Sequence, residues 1–281
     1  MSAQVTQKVA FALLTFLAVL VVVPIVLVVG YIVVQGLAAI SWEFLTDFPS
    51  NGMKEGGIMP AIIGTVLLTF GTAIASIPFA LGAAIYLAEY ARDTWLTRTI
   101  RLAIINLAGI PSVVYGLFGL GMFVLFLGFG ASIVAGSLTL GLMTMPVVIS
   151  TAEEALLTVP QRFRVVSRSL GASRWQTVRH VVLPNALPGI LTGVILGLER
   201  AAGETAPILF TAAAFYLPQL PQSLLSPTMA LPYHLYVIST QVPGMPLEVQ
   251  YGTALVLLVL VLGLNLVATV LRSRFRRRRQ W

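Results

Sequence analysis

Residues 9–34 read VAFALLTFLAVLVVVPIVLVVGYIVV, an apolar run with no charged side chain from one end to the other. A helix that crosses the hydrocarbon of a bilayer needs roughly 20 such residues, well beyond the length of a signal peptide's apolar region. The run is therefore read as a membrane span, preceded only by Lys8 and retained as an anchor. Working outward, further uncharged runs occupy residues 61–88, 102–127, 133–152, 189–198 continuing past three charges to 210, and 251–271. The expected fold is an all-α membrane bundle of six transmembrane helices. Composition agrees, because 58% of the 281 residues are hydrophobic and 10% are charged, with a mean hydropathy of +0.94, which excludes an ordinary soluble domain. Cysteine is absent, so disulfides and thiolate metal sites are excluded as well.

Lysine and arginine set the expected orientation. Lys8, then Arg92, Arg98 and Arg101, then Arg162, Arg164, Arg168, Arg174 and Arg179, then the six arginines in 272–279 all fall on alternate segments on one side. The opposite loops, 35–60, 128–132 and 211–250, hold Lys54 alone. Positive residues stay inside, so the first side is the cytoplasm and both termini lie in it. The basic run 272–279 follows directly on a span, and is read as an anchor meeting anionic lipid rather than a nucleic-acid patch.

Several chemistries are missing. The chain has no H-E-x-x-H, no G-x-S-x-G, no cysteine nucleophile, and two histidines, His180 and His234, far apart in sequence. It also lacks G-x-x-x-x-G-K-[ST], so it cannot cradle ATP phosphates itself. No catalytic residue, metal or cofactor is expected in this chain, and any use of ATP and Mg must come from a partner. Pro24, Pro78, Pro111 and Pro146 are expected to kink their spans, and the glycines of 116–121 and 136–141 to let helices approach closely.

The segment 153–188 between the fourth and fifth runs carries the signals of folded helices. Thr158-Val159-Pro160-Gln161 and Ser173-Arg174-Trp175-Gln176 both fit the Ser/Thr-x-x-Gln capping box, and Gly171 is placed to end the first helix. Phe163, Val166 and Leu170 would share one face of the first helix, and Trp175, Val178 and Val182 one face of the second, with Arg164 and Arg168 pointing elsewhere. A capped amphipathic pair of this kind can dock on a partner or lie on lipid headgroups.

Within the fifth run stand Glu199, Arg200 and Glu204. Each charge near the middle of a span costs about 2.5–3.5 kcal/mol on insertion scales, so each demands a partner. Arg200 and Glu204 are four residues apart and could pair on one helix, and a guanidinium also offers a planar donor fork suited to phosphate oxygens. A pore arginine restrained by Glu204 would meet an anion without gripping it; the alternative is an ion pair that only stitches helices together.

The loop resembles that of the permease subunits of ABC importers, in which a glycine is followed by nine residues and then I-x-L-P; here Gly171 is followed at that spacing by Val181-Val182-Leu183-Pro184. The Glu-Ala-Ala that the family places ahead of the glycine falls here on Val165-Val166-Ser167. Ala84-Ile85-Tyr86-Leu87-Ala88-Glu89-Tyr90, Gly109-Ile110-Pro111-Ser112-Val113-Val114-Tyr115-Gly116-Leu117 and Arg200-Ala201-Ala202-Gly203-Glu204-Thr205-Ala206-Pro207 narrow the resemblance to phosphate-specific importers. It implies the type I importer fold, with Arg168, Gly171, Ala172, Ser173, Trp175, Leu183 and Pro184 at the coupling contact with an ATPase, and Glu199, Arg200, Glu204 and Thr205 along the substrate pathway. The implied partners are a homologous second permease, two ATPase subunits that bind ATP and Mg, and a binding protein outside the membrane.

The expected organisation is an N-terminal anchor helix and outer loop over 1–60, a permease core over 61–271 with its coupling loop at 153–188, and a basic tail over 272–281, all in the inner membrane. Inorganic phosphate is the expected substrate, another oxyanion such as molybdate or sulfate the alternative, and a secondary transporter or channel a third reading that the lack of a clear internal repeat disfavours.

Overall fold

The computed structural model describes residues 3–277. Its helices are α1 (Ala3–Gly36), the short α2 (Trp42–Thr46), α3 (Met59–Ile85), α4 (Trp95–Ala108), α5 (Ser112–Gly119), α6 (Ile133–Leu157), α7 (Gln161–Ser169), α8 (Arg174–Thr177), α9 (Leu183–Gly203), α10 (Ala206–Thr211), α11 (Leu231–Thr240) and α12 (Leu247–Arg277). Of the basic run, Arg278 and Arg279 lie outside the described residues.

Five of these elements are long and apolar enough to cross a membrane, and a sixth crossing counts only if a bent pair is taken as one span. That pair corrects the uninterrupted third run expected over 102–127. Helix α4 ends at Ala108, and α5 leaves at 100° to it, continuing through a π-helical turn to Phe126. The cause lies at the break, where Pro111 has no N–H to donate and disfavours a helical conformation at Ile110 before it. Pro24, Pro78 and Pro146, by contrast, are accommodated inside α1, α3 and α6.

Helix α6 is the axis of the bundle, with 67% of its apolar stretch buried against none of that of α1. Small residues set its contacts, as the two glycine stretches predict in part. An added Cβ on Gly141 would stand 3.1 Å from Ala75 of α3, and one on Gly136 2.5 Å from Ala212. On the α9 side, Gly189 faces Ala155 and Gly197 faces Val148 and Thr144 at similarly close range. In hydrocarbon there is little hydrophobic drive between helices, so backbone proximity and packing hold them together. Thr65, Thr69, Thr72 and Ser76 of α3 each donate to the carbonyl four residues earlier at 2.7–2.8 Å, which hides their hydroxyls within the buried face.

The amino end of α6 is capped by tertiary structure. Ser132 Oγ accepts from the Ala135 N–H, while the N–H groups of Ser132, Ile133 and Val134 donate to the carbonyls of Thr211, Ser226 and Leu224. The proline-rich 211–230 segment thereby satisfies donors that a helix start leaves unpaired. Helix α1 sits at the periphery, tied to α12 where Tyr31 meets Tyr251 edge-on at 5.3 Å.

Candidate functional site: an embedded ion pair and a capped turn

Helix α9 carries the embedded charges. Gly197 packs on Thr144 and Val148, at the midpoint of α6, so Arg200 lies less than one turn from the middle of the bundle. Arg200 Nε donates to Glu204 Oε1 at 3.3 Å, the spacing of four that the sequence predicts. The helix does not continue to Phe210, however. It stops at Gly203, Glu204 adopts an extended conformation (φ −78°, ψ 134°), and α10 begins at Ala206 with Pro207 in its first turn. Pro207 has no N–H for the Gly203 carbonyl, so the fifth crossing breaks at Glu204 and Thr205.

The two partners differ in surroundings. The Arg200 side chain is 39% exposed and that of Glu204 19%. Glu204 borders a narrow crevice formed by Thr65, Thr69, Leu140, Ala201 and Ile208, whereas the Arg200 Nη groups have no hydrogen-bond partner among the described residues. Glu199 points to another place. It lines a cavity of about 120 Å³ with Thr192, Asn265 and Thr269 between α9 and α12, and its Oε1 is buried without a hydrogen-bond partner. The structure thus joins Arg200, Glu204 and Thr205 and leaves Glu199 apart from them.

The 153–188 segment is folded, with two departures from expectation. Thr158 does not cap α7. It remains in helical conformation at the end of α6 and donates to the Ala155 carbonyl, and α7 starts after Pro160 without a side-chain cap. An N-cap needs extended backbone, which the run-on of α6 denies to Thr158. Arg164, expected to point away, is instead 5% exposed. Its guanidinium meets Glu89 Oε1 at 2.5 Å and donates to the carbonyls of Val159 (2.6 Å) and Leu156 (2.9 Å). Glu89 stands in the π-helical turn Tyr86–Tyr90 that ends α3, so a residue quoted only as part of a motif proves to be an anchor of the loop. Charge alone does not reveal this; the apolar company of Leu87 and Tyr90 was the available signal.

The second capping box is present. Ser173 Oγ accepts from the Gln176 N–H at 3.2 Å, and the Gln176 side chain accepts from the Ser173 N–H at 2.7 Å. Gly171 closes α7 at φ +84°, a left-handed conformation that suits glycine. The Ala172 N–H donates to the Ser167 carbonyl and the Gly171 N–H to that of Arg168, the paired bonds of a Schellman end. Ser167 and Thr177 hydroxyls, 2.9 Å apart, clamp the two helices.

Helix α8 does not end in a loop. It passes through the π-helical turn Val178–Val182 into α9, making one continuous stretch Arg174–Gly203. Pro184 lies just beyond this turn, within the first residues of α9. Leu183 packs partly against the buried cluster around Val182 and Ala186. Leu170 and Trp175, by contrast, are 84% and 53% exposed at the tip. Of the residues expected at the coupling contact, Arg168, Gly171, Ser173 and Trp175 surround the tip and Leu183 packs inward.

A bundle with a broken, charged span and a capped helical turn at one end is the architecture of an importer's membrane subunit. Structures with this fold include the methionine ABC transporter MetNI (TM-score 0.62, 19% identity, 76% of this chain and 94% of that one) and a bacterial ABC transporter for import of the acidic polysaccharide alginate (TM-score 0.64, 13% identity, 96% and 99%). They define the type I importer permease fold. Residues 76–281 match the family described as binding-protein-dependent transport system inner membrane component, and the chain belongs to that family. Among curated relatives, "Probable ABC transporter permease protein YqgI" of Bacillus subtilis is 34% identical over 95% of both chains. "Probable phosphate transport system permease protein PstA" of Methanocaldococcus jannaschii is 33% identical over 92% of this chain and 91% of its own. "Phosphate transport system permease protein PstA 1" of Mycobacterium tuberculosis is 32% identical over 92% and 84%. The protein is a multi-pass inner-membrane permease subunit of an ABC importer.

Proposed function

We propose that the chain conducts inorganic phosphate into the cytoplasm as one half of a heterodimeric permease. The carrying observation is the Arg200–Glu204 pair beside a break in the mid-bundle helix, with part of the guanidinium uncovered. A guanidinium facing acyl chains is costly, so the open side of Arg200 is met by a second permease and the aqueous pathway between them. Its remaining donors suit a tetrahedral oxyanion, and Glu204 competes for the same fork, which keeps the anion's stay short. The names borne by the relatives of Methanocaldococcus and Mycobacterium support phosphate. An ATPase pair binding ATP and Mg supplies the energy, and a binding protein outside supplies selectivity.

Proteoliposomes containing both permeases, the ATPase and the binding protein test this by uptake of radiolabelled phosphate. Uptake is expected to resist excess molybdate and sulfate; competition by either at equal concentration would move the assignment to that oxyanion.

The basic asymmetry puts both termini and the α7–α8 tip in the cytoplasm. Because the chain has no cysteine, Ser173→Cys and Lys54→Cys provide single labels on a clean background. In spheroplasts a membrane-impermeant maleimide is expected to label the cysteine at 54 and to spare the one at 173. The reverse pattern would invert the topology.

Gly171→Val tests the tip. The left-handed backbone costs a β-branched residue about 1–2 kcal/mol, so the end of α7 should rearrange without loss of insertion. ATP-driven uptake is expected to fall while the permease still reaches the membrane in normal amount; wild-type coupling would remove the tip from the energy-transducing contact.

A further inference from the structure

Between the end of α6, α7 and the turn that closes α3 lies a cavity of about 330 Å³, bordered by Glu89, Thr158, Gln161, Arg164, Arg168 and Arg174. Its charge balance is one-sided. The single carboxylate, Glu89, is held by Arg164, and both side chains are nearly fully buried, so this pair forms a neutral floor. Arg174 donates to the Glu89 backbone carbonyl and stacks with its guanidinium 4.8 Å from the Tyr90 ring centroid, which holds its charge at the wall. Arg168 has no hydrogen-bond or ion-pair partner among the described residues. Two guanidinium charges therefore remain uncompensated around a concave space.

Beside this socket the tip is apolar. Leu170 is 84% exposed, Val166 58%, Val165 56% and Trp175 53%. A basic and apolar surface could lie on a membrane, but this one points away from the spans. Helix α8 and its π-helical turn extend α9 along its own course, which puts Arg174 about 13 Å beyond Leu183 at 1.5 Å per residue. Apolar side chains presented on the far side of such a spacer are covered by protein.

We propose that the Arg168–Arg174 socket receives an acidic side chain of the partner ATPase, while Leu170 and Trp175 beside it enter an apolar recess of the same subunit. The inference rests on the reading of the tip as the ATPase contact and gives that contact its chemistry. A carboxylate fits because two guanidinium forks converge on one space and each offers parallel donors to its oxygens. Neither Val165 nor Val166 supplies an acid of the permease's own at this place, so the charge of opposite sign has to come from the partner.

The test uses the two-permease complex in nanodiscs and its own purified ATPase, with Arg168→Glu, Arg168→Lys and Leu170→Asp compared for ATPase affinity. Both sites are solvent-exposed, and unchanged melting of the ATPase-free complex checks that folding is intact. Arg168→Glu is expected to weaken binding by about thirtyfold or more, as loss of one member of a covered charge pair does, and Arg168→Lys to retain much of it. Reversing ATPase acidic residues one at a time to lysine is expected to yield one that restores binding to Arg168→Glu. If Leu170→Asp abolishes binding while Arg168→Glu binds normally, the socket is refuted and the tip contact stands. Normal binding by Leu170→Asp as well would overturn the reading of the tip itself. An Arg168-dependent rise in melting temperature with inorganic phosphate or with anionic-lipid nanodiscs, and no rescuing ATPase residue, would assign the socket to a small anion or headgroup instead.

Discussion

Arg200→Gln is expected to insert, assemble with its partners and lose phosphate uptake by about a hundredfold, the scale seen when one preorganised charged donor is removed from an anion's path. The substitution keeps length and some hydrogen bonding but removes the only positive charge of α9, which stands in its last turn. Glu204→Gln is expected to act differently. With the carboxylate's charge gone, the 3.3 Å contact on Nε weakens to a neutral hydrogen bond, the fork is freer to hold the anion, and transport should slow while phosphate binds the assembled complex more tightly. The charge-swapped double variant, Arg200→Glu with Glu204→Arg, separates a pathway role from a stitching one. Because Arg200 is 39% exposed and Glu204 19%, the pair by itself contributes little to stability, and the swap should fold yet stay inactive. Uptake by the swapped protein at the wild-type rate would refute the pathway role of Arg200.

Glu89→Leu is expected to destabilise the loop end of the protein by about 3–5 kcal/mol, because it leaves the Arg164 guanidinium buried without its counter-charge. The backbone carbonyls of Val159 and Leu156 still accept from Arg164, but two neutral acceptors do not replace a carboxylate at 2.5 Å. In detergent the apparent melting temperature should fall and the 153–188 segment should become sensitive to protease. Pairing the change with Arg164→Met removes the orphaned charge and should recover most of the loss, since well-packed apolar replacements of buried pairs are often neutral. A single variant as stable as the wild type would mean that Arg164 escapes to solvent when Glu89 is gone. Arg101 gives a milder comparison: it bridges Glu153 at 2.8 Å but is 36% exposed, so Glu153→Gln should cost far less.

The apolar runs made four of the six expected crossings legible as single helices, α1, α3, α6 and α12, because lipid and protein interior alike favour apolar side chains and hydropathy sums along the chain. The two that broke did so at prolines followed by their own short helices, Pro111 before α5 and Pro207 within the first turn of α10. Hydropathy is blind to such breaks, since both arms remain apolar. The capped turn was half legible. Ser173 and Gln176 act across three residues and Gly171 through its own backbone, so both are written locally. Thr158 shows the limit, because whether it caps depends on where α6 stops, and α6 stops where its buried face does.

What the sequence by itself determined is the membrane bundle, the sign asymmetry of its loops, the Arg200–Glu204 spacing and the capped turn, all of which act over a few residues or add up along the chain. Only the tertiary structure decided that Arg164 is buried on Glu89, 75 positions earlier, that Glu199 lines a cavity against α12 apart from its neighbour Arg200, and that Arg168 and Arg174 are left facing one space. The physical reason is that a charge's partner is set by distance in space and by what excludes water around it. Both follow from how α3, α6, α9 and α12 pack, and neither is a property of sequence separation.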